Sequence, residues 1–307
     1  QSMKGNRILK KIGKEEIAGQ ILTLPFALGF ALFTLVPMLM SLYYSFTDYN
    51  ILSKPTFIGL ENYIRLFTKD GRFWKALTVT FQYAGFSVPL RLIFALIVAM
   101  LLVKGTRMTF IYRAVYYLPS IIGGTVAVAI LWKRMFATDG TINQLITSLI
   151  QSFGGKGIFS FPWLGDTNTA IWVLILMAVW QFGSSMLIFL AAIKQIPISY
   201  YEAAEVDGAN KWTKFRSITL PLLTPTIFFN LIMQLISGFL AFTQSFIITQ
   251  GKPLDSTLFY AVYMYEQSFT NRAMGYSSAM AWIMLVLIGI LTLIIFKTKH
   301  FWVVDED

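Results

Sequence analysis

Inside the apolar stretches of this 307-residue chain, the side chains able to do chemistry mid-span are Arg91 and a row of amides and hydroxyls. Arg91 stands mid-way along a run that carries no acid, where a charge is expensive and is normally paired or functional. Its counterpart is a cluster of carbonyls, a second subunit, or the solute itself. Asn230, Gln234, Ser237 and Gln244 follow the spacing of one helical face, with Ala241 in the remaining place, and Gln181, Ser184 and Ser185 form a shorter set. Amides and hydroxyls both donate and accept, so such a row can replace water around a neutral polar solute on a transmembrane route. Hydrogen bonding between helices satisfies the same groups equally well.

Covalent and metal chemistry find little material here. The absence of cysteine excludes disulfides, thiolate metal sites and a Cys nucleophile. A single histidine, His300, leaves no His cluster and no His-centred triad, and it reads as a solvated interfacial residue. Gly154-Gly155-Lys156-Gly157 lacks the spacing and the hydroxyl of a P-loop, so any ATP-derived energy must arrive from another subunit.

The elements that position these groups are membrane spans. The composition is 56% hydrophobic and 13% charged, with a mean hydropathy of +0.63. A span takes about 20 mostly apolar residues. Six segments qualify, at 18–46, 78–103, 108–132, 169–193, 222–250 and 277–296, and only Arg91 and Arg113 place a charge inside them. Arg113, near the inner end of its span, reads as snorkelling. The first segment is too long for a signal-peptide core and lacks a cleavage signal, so it is read as retained. The net charge of +10 fits orientation in a bilayer rather than nucleic acid. With both termini inside, the cytoplasmic segments hold 13 Lys/Arg and the longer outer loops 10.

One polar stretch between spans has strong local signals. Ser199 and Glu202 have capping-box spacing, which predicts a short helix from about Tyr200 to Gly208, a residue suited to closing a helix in the left-handed region. Asn210 is placed to cap a second short helix carrying Lys211, Trp212, Lys214, Phe215 and Arg216, which Pro221 ends as the next apolar run opens. Such a rigid helix pair can carry a motion into the attached spans.

The order Glu202-Ala203-Ala204, Gly208, then Ile218-Thr219-Leu220-Pro221 resembles the cytoplasmic EAA loop of bacterial ABC importer permeases. In the outer loops, Phe57-Ile58-Gly59-Leu60-Glu61-Asn62-Tyr63, Asp139-Gly140-Thr141-Ile142-Asn143 and Trp163-Leu164-Gly165-Asp166 look like signatures of the sugar-type branch, that of maltose and glycerol-phosphate permeases. With Tyr117-Leu118-Pro119 in the third span, the resemblance covers nearly the whole chain. It implies an all-α membrane protein of the type I importer permease fold, six transmembrane helices with cytoplasmic coupling helices in 194–221. A basic segment at 1–17 would precede the permease domain at 18–296, and a tail at 297–307 would follow, both cytoplasmic. It further implies a second, related permease, two ATPase subunits that hold ATP and Mg2+, and a solute-binding protein delivering a carbohydrate, an oligosaccharide by preference. Glu202 would pair with a basic residue of the ATPase, Ala203 and Ala204 would permit close approach, Gly208 would hold the elbow, and Ile218, Leu220 and Pro221 would fix the exit into the fifth span.

Alternatives are an ABC permease for a non-sugar solute, since the loop reports coupling rather than cargo, and an ion-coupled carrier or channel. The lack of intramembrane acids counts against the carrier. No catalytic constellation supports an enzyme. Ile8, Leu9 and Ile12 with Lys10, Lys11 and Lys14 form a basic amphipathic stretch suited to the inner leaflet. Trp74, Trp132, Trp163, Trp172 and Trp302 fall near span ends and read as interfacial anchors.

Overall fold

A computed structural model describes residues 14–103, 105 and 108–304, so the amphipathic stretch around Ile8 lies outside the described residues. Helix dominates because the chain is built of apolar runs whose backbone groups can be satisfied within each segment. The first span is α1 (Lys14–Phe30) and α2 (Val36–Ser45), joined through a π-helical stretch at Ala31–Leu35. A two-stranded hairpin ladder (Thr47–Asp48 with Thr56–Phe57) leads to α3 (Glu61–Thr68). The Gly59 to Tyr63 signature there acts as a staple. Asn62 Nδ2 donates to the carbonyls of Ser45 (3.0 Å) and Thr47 (2.9 Å), and the Tyr63 hydroxyl donates to Ser45 Oγ (2.8 Å).

The central element is α4 (Gly71–Val103), 33 residues and about 50 Å long at 1.5 Å per residue. It begins seven residues before the expected span because Asp70 Oδ1 accepts the Phe73 amide at 2.9 Å, a cap in front of a turn that Arg72 and Lys75 make polar. Phe73 and Ala76 in this extension are fully buried. Around α4 pack α8 (Ala170–Trp180), α9 (Gly183–Gln195), α13 (Thr224–Phe239) and α14 (Tyr260–Tyr265), while α15 (Met274–Trp302) packs on α2.

Three expected spans are broken rather than straight. The third divides into α5 (Thr109–Ile122) and α6 (Val126–Met135), bent by 97°. Pro119 and the Gly123-Gly124 pair cause the break, and Thr125 caps the restart by accepting the Val128 amide. The fourth bends by 42° between α8 and α9. The fifth is interrupted after Phe239: the chain is irregular at Ala241 and Phe242 and resumes into a π-helical stretch at Ser245–Thr249. Among the described residues three helices are long and apolar enough to cross a membrane, and the bent pairs bring the number to six when each counts as one span.

The loop between α6 and α8 holds α7 (Thr141–Ser152) and a small aromatic core. Asn143 Nδ2 donates to the carbonyls of Thr138 and Phe161, both at 2.9 Å, while its Oδ1 accepts Trp163 Nε1 at 2.7 Å. Trp163 also packs against Phe136, Phe159 and Phe161. It is a half-buried centre of this loop rather than a free interfacial ring.

Candidate functional site

Two sites emerge, a helical elbow between the fourth and fifth spans and a cavity beside α4. The elbow starts with α10 (Ile198–Val206), continues in α11 (Lys211–Lys214), and runs through a π-helical stretch (Phe215–Thr219) into the single turn α12 (Leu220–Leu222). Its glycine closes α10 as the sequence predicts. Gly208 has φ +79°, its amide donates to the Glu205 carbonyl (3.0 Å), and the Ala209 amide donates to the Ala204 carbonyl (2.8 Å), the paired bonds of a Schellman motif. Asn210 then caps α11, its Oδ1 accepting the Thr213 amide at 2.9 Å. Lys214 Nζ donates to Glu205 Oε1 across the bend, and this pairing lowers the Glu205 pKa.

Two local expectations fail. No capping box forms between Ser199 and Glu202: α10 begins at Ile198 behind Pro197, whose ring fixes φ at −59°, and that cap position has no side-chain hydrogen bond. Ser199 therefore sits inside the first turn. Nor does Pro221 end the second helix. It lies within α12, where a proline in the first turn of a helix is tolerated, and the direction changes by 63° at Leu223.

The elbow presents an exposed apolar and charged tip. Val206 is 89% exposed and Trp212 67%, with Ile198 and Tyr200 also exposed, and Glu202 and Ala203 lie on the solvent side. Ala204, Ile218, Leu220 and Pro221 are half-buried. The Tyr201 hydroxyl is 2.9 Å from Thr219 Oγ1, which ties α10 to the turn that enters the fifth span.

The cavity of about 240 Å³ is lined by Tyr83, Ser87 and Arg91 of α4, Gln181 at the α8–α9 break, Gln234 and Ser237 of α13, and Gln244 beyond it. Four of the polar residues singled out by spacing, Gln181, Gln234, Ser237 and Gln244, thus share one space with Arg91. Asn230 does not: it is buried and donates to the Thr226 carbonyl at 3.1 Å. Ser184 stays outside too, its amide held by Ser120 Oγ at 3.0 Å. Because α13 stops at Phe239, the row from Asn230 to Gln244 is not one continuous helical face.

The break at Gln181 explains the placement of Arg91. Where α8 ends, the Gln181 carbonyl is freed, and it accepts from the Arg91 guanidinium and from Ser120 Oγ (2.9 Å). The Gln181 side chain turns back to the carbonyls of Gly123 and Met177, both at 3.3 Å. Gly183 is required beside the break, since a Cβ there would meet the Tyr116 carbonyl at 2.2 Å. Ser120 escapes sequence reading, because a serine one residue after Pro119 carries no periodic signal; only the three-dimensional break gives it two partners. Arg113, on α5, is half-buried, and its Nε lacks a hydrogen-bond partner among the described residues.

Comparison with known proteins places this geometry. Residues 66–298 match the model of the family described as binding-protein-dependent transport system inner membrane component. The chain is 51% identical over 301 residues to YesP of Bacillus subtilis (strain 168), named a probable ABC transporter permease protein, covering 97% of this chain and 95% of that one. It is 32% identical over 273 residues to AmyD of Thermoanaerobacterium thermosulfurigenes, named a probable starch degradation products transport system permease protein, covering 88% and 89%. Its fold matches a chain in the crystal structure of a bacterial alginate ABC transporter in complex with an alginate pentasaccharide-bound periplasmic protein, with a TM-score of 0.79, 21% identity, and coverage of 95% and 97%. The chain is a multi-pass membrane protein and belongs to the binding-protein-dependent transport system inner membrane component family.

Proposed function

We propose that this chain is one of two permease subunits of an ATP-driven importer that moves an oligosaccharide, delivered by an extracytoplasmic solute-binding protein, through alternating access. The observation that carries the reading is the elbow: two short helices locked by a left-handed glycine, an Asn cap and an ion pair, with exposed apolar and charged residues at the tip and a hydroxyl bridge to the membrane end. An exposed Trp and Val beside charges suit a partner protein surface. That partner is a cytoplasmic ATPase, which supplies the ATP and Mg2+ chemistry. The elbow and both termini then lie on the cytoplasmic side. The second permease is a related but different chain, and it completes the route of which this cavity forms one wall. At about 240 Å³ the cavity falls short of the roughly 300–1,000 Å³ of a full small-molecule site.

The carbohydrate assignment is supported by the naming of AmyD for starch degradation products and by a cavity lined with amides and hydroxyls. The test is reconstitution of this chain with a second permease, ATPase subunits and a solute-binding protein in lipid nanodiscs and vesicles. Oligosaccharide-loaded binding protein should stimulate ATP hydrolysis several-fold and drive uptake. Uptake that continues without the ATPase subunits would identify a carrier or channel instead. Stimulation by a loaded binding protein for a non-sugar solute alone would move the cargo to another class.

A further inference from the structure

We infer that the solute is acidic, and that Arg91 receives a carboxylate of a uronate-type oligosaccharide in the cavity it lines; this rests on the carbohydrate reading above. Arg91 sits in the middle of the longest membrane helix, and none of the residues lining its cavity is acidic. Among the described residues the ion pairs involve Arg72, Arg134 and Lys214, and none includes Arg91. A guanidinium keeps its proton there, and among the described residues the Gln181 carbonyl partners it but no carboxylate balances its charge.

A purely structural role does not account for it. The Gln181 carbonyl freed by the helix break already accepts from Ser120 Oγ at 2.9 Å, so the break is satisfied without a cation. Arg91 keeps a buried Nε with no hydrogen-bond partner, a state that costs free energy unless a ligand or a shift of the side chain relieves it. For a neutral sugar, the Gln244 amide supplies donors and an acceptor, and Gln234 and Ser237, which donate to Ser185 Oγ (3.0 Å) and the Met233 carbonyl (2.9 Å), still offer acceptor oxygens, so a cation would add only a desolvation cost. For a uronate the same groups hold the ring hydroxyls, while the planar guanidinium matches the carboxylate, its best partner in geometry as well as charge.

The experiment uses the assembled importer in nanodiscs with the binding protein omitted, so that the latter's own selectivity does not enter. Direct binding is measured for trisaccharides of galacturonate, glucuronate and mannuronate and for their carboxyl-reduced counterparts. The wild-type complex should bind at least one uronate trisaccharide ten or more times more tightly than its reduced partner. Arg91→Gln should abolish that ratio by weakening the acidic ligand while leaving the neutral one within about twofold, and Arg91→Lys should retain part of it. A wild-type complex without preference overturns the inference, and this arm needs no variant to fold. Equal weakening of both ligands by Arg91→Gln, as expected if a carboxylate of the second permease were the true partner, overturns it too. If no saccharide, acidic or neutral, binds the wild-type complex or is transported by it, the carbohydrate reading itself falls.

Discussion

The Tyr201 hydroxyl and Thr219 Oγ1 lie 2.9 Å apart, joining the first helix of the elbow to the turn from which the fifth span departs. They are 18 residues apart in sequence, and between them the chain reverses through Gly208. Thr219 is buried whereas the tip is exposed, so the bond links an exposed surface to a buried point where the fifth span begins.

Tyr201→Phe removes that link while keeping the ring. The stability loss should be about 1 kcal/mol, the usual net value of one hydrogen bond. Coupling should suffer more than stability: basal ATP hydrolysis of the complex should persist, while uptake per ATP hydrolysed falls several-fold. An unchanged ratio of uptake to hydrolysis in proteoliposomes would show that the bond transmits nothing.

Gly208 separates conformation from space. A Cβ on it would have nothing within 4 Å, yet its φ is +79°. Gly208→Val should therefore cost roughly 1–3 kcal/mol of local strain, with no steric clash in this chain. Transport should drop strongly although the protein still inserts in the membrane. Gly208→Asn, which tolerates the left-handed region, should recover most of the activity. If Asn and Val were equally damaging, the cause would be a contact made by the partner rather than backbone conformation.

Asp70 supplies a pH-dependent test on the opposite end of the molecule. Burial by itself would raise its pKa, but hydrogen bonds from the Tyr276 and Tyr263 hydroxyls and from the backbone outweigh that and lower it. With the folded value below the unfolded one, the stabilisation is fully present above the unfolded pKa near 4 and is lost as pH falls through the folded value. Thermal unfolding of the wild-type chain in detergent should thus lose stability below about pH 4, while Asp70→Asn, which no longer offers a carboxylate to the two tyrosines, starts less stable and shows a flatter acid limb. Parallel acid limbs for the two proteins would assign the pH dependence to other carboxylates.

Much of this architecture is legible in residue spacing. Gly208 and Asn210 announce a helix stop and a helix start because one tolerates positive φ and the other carries a capping oxygen, both properties of single residues. Hydropathy finds the spans for the same reason, since each is a local sum. What escapes depends on partners far along the chain. Thr109–Ile122 and Val126–Met135 read as one apolar run, and the 97° bend between them is held by packing around Gly123 and Gln181, 58 residues apart. Ser120 has a role only because α8 stops at Trp180. Pro197 decides where α10 begins, overriding the more familiar Ser199–Glu202 spacing.

The interrupted fifth span gives the sharpest prediction about the cavity. Gln234, Ser237 and Gln244 line it, whereas Asn230 is buried and bound to the Thr226 carbonyl one turn back. The chain has no native cysteine, so single substitutions can be labelled without background. In the assembled importer, Gln234→Cys, Ser237→Cys and Gln244→Cys should react with a membrane-impermeant thiol reagent in at least one nucleotide state, and added oligosaccharide should slow the reaction several-fold. Asn230→Cys should stay unreactive throughout the ATP cycle, although the simple helical row places it on the same face. Reaction at Asn230→Cys as fast as at Ser237→Cys would mean that α13 rotates or unwinds during transport. Protection of all four positions in every state would mean that these side chains serve helix packing, and the route would have to run elsewhere.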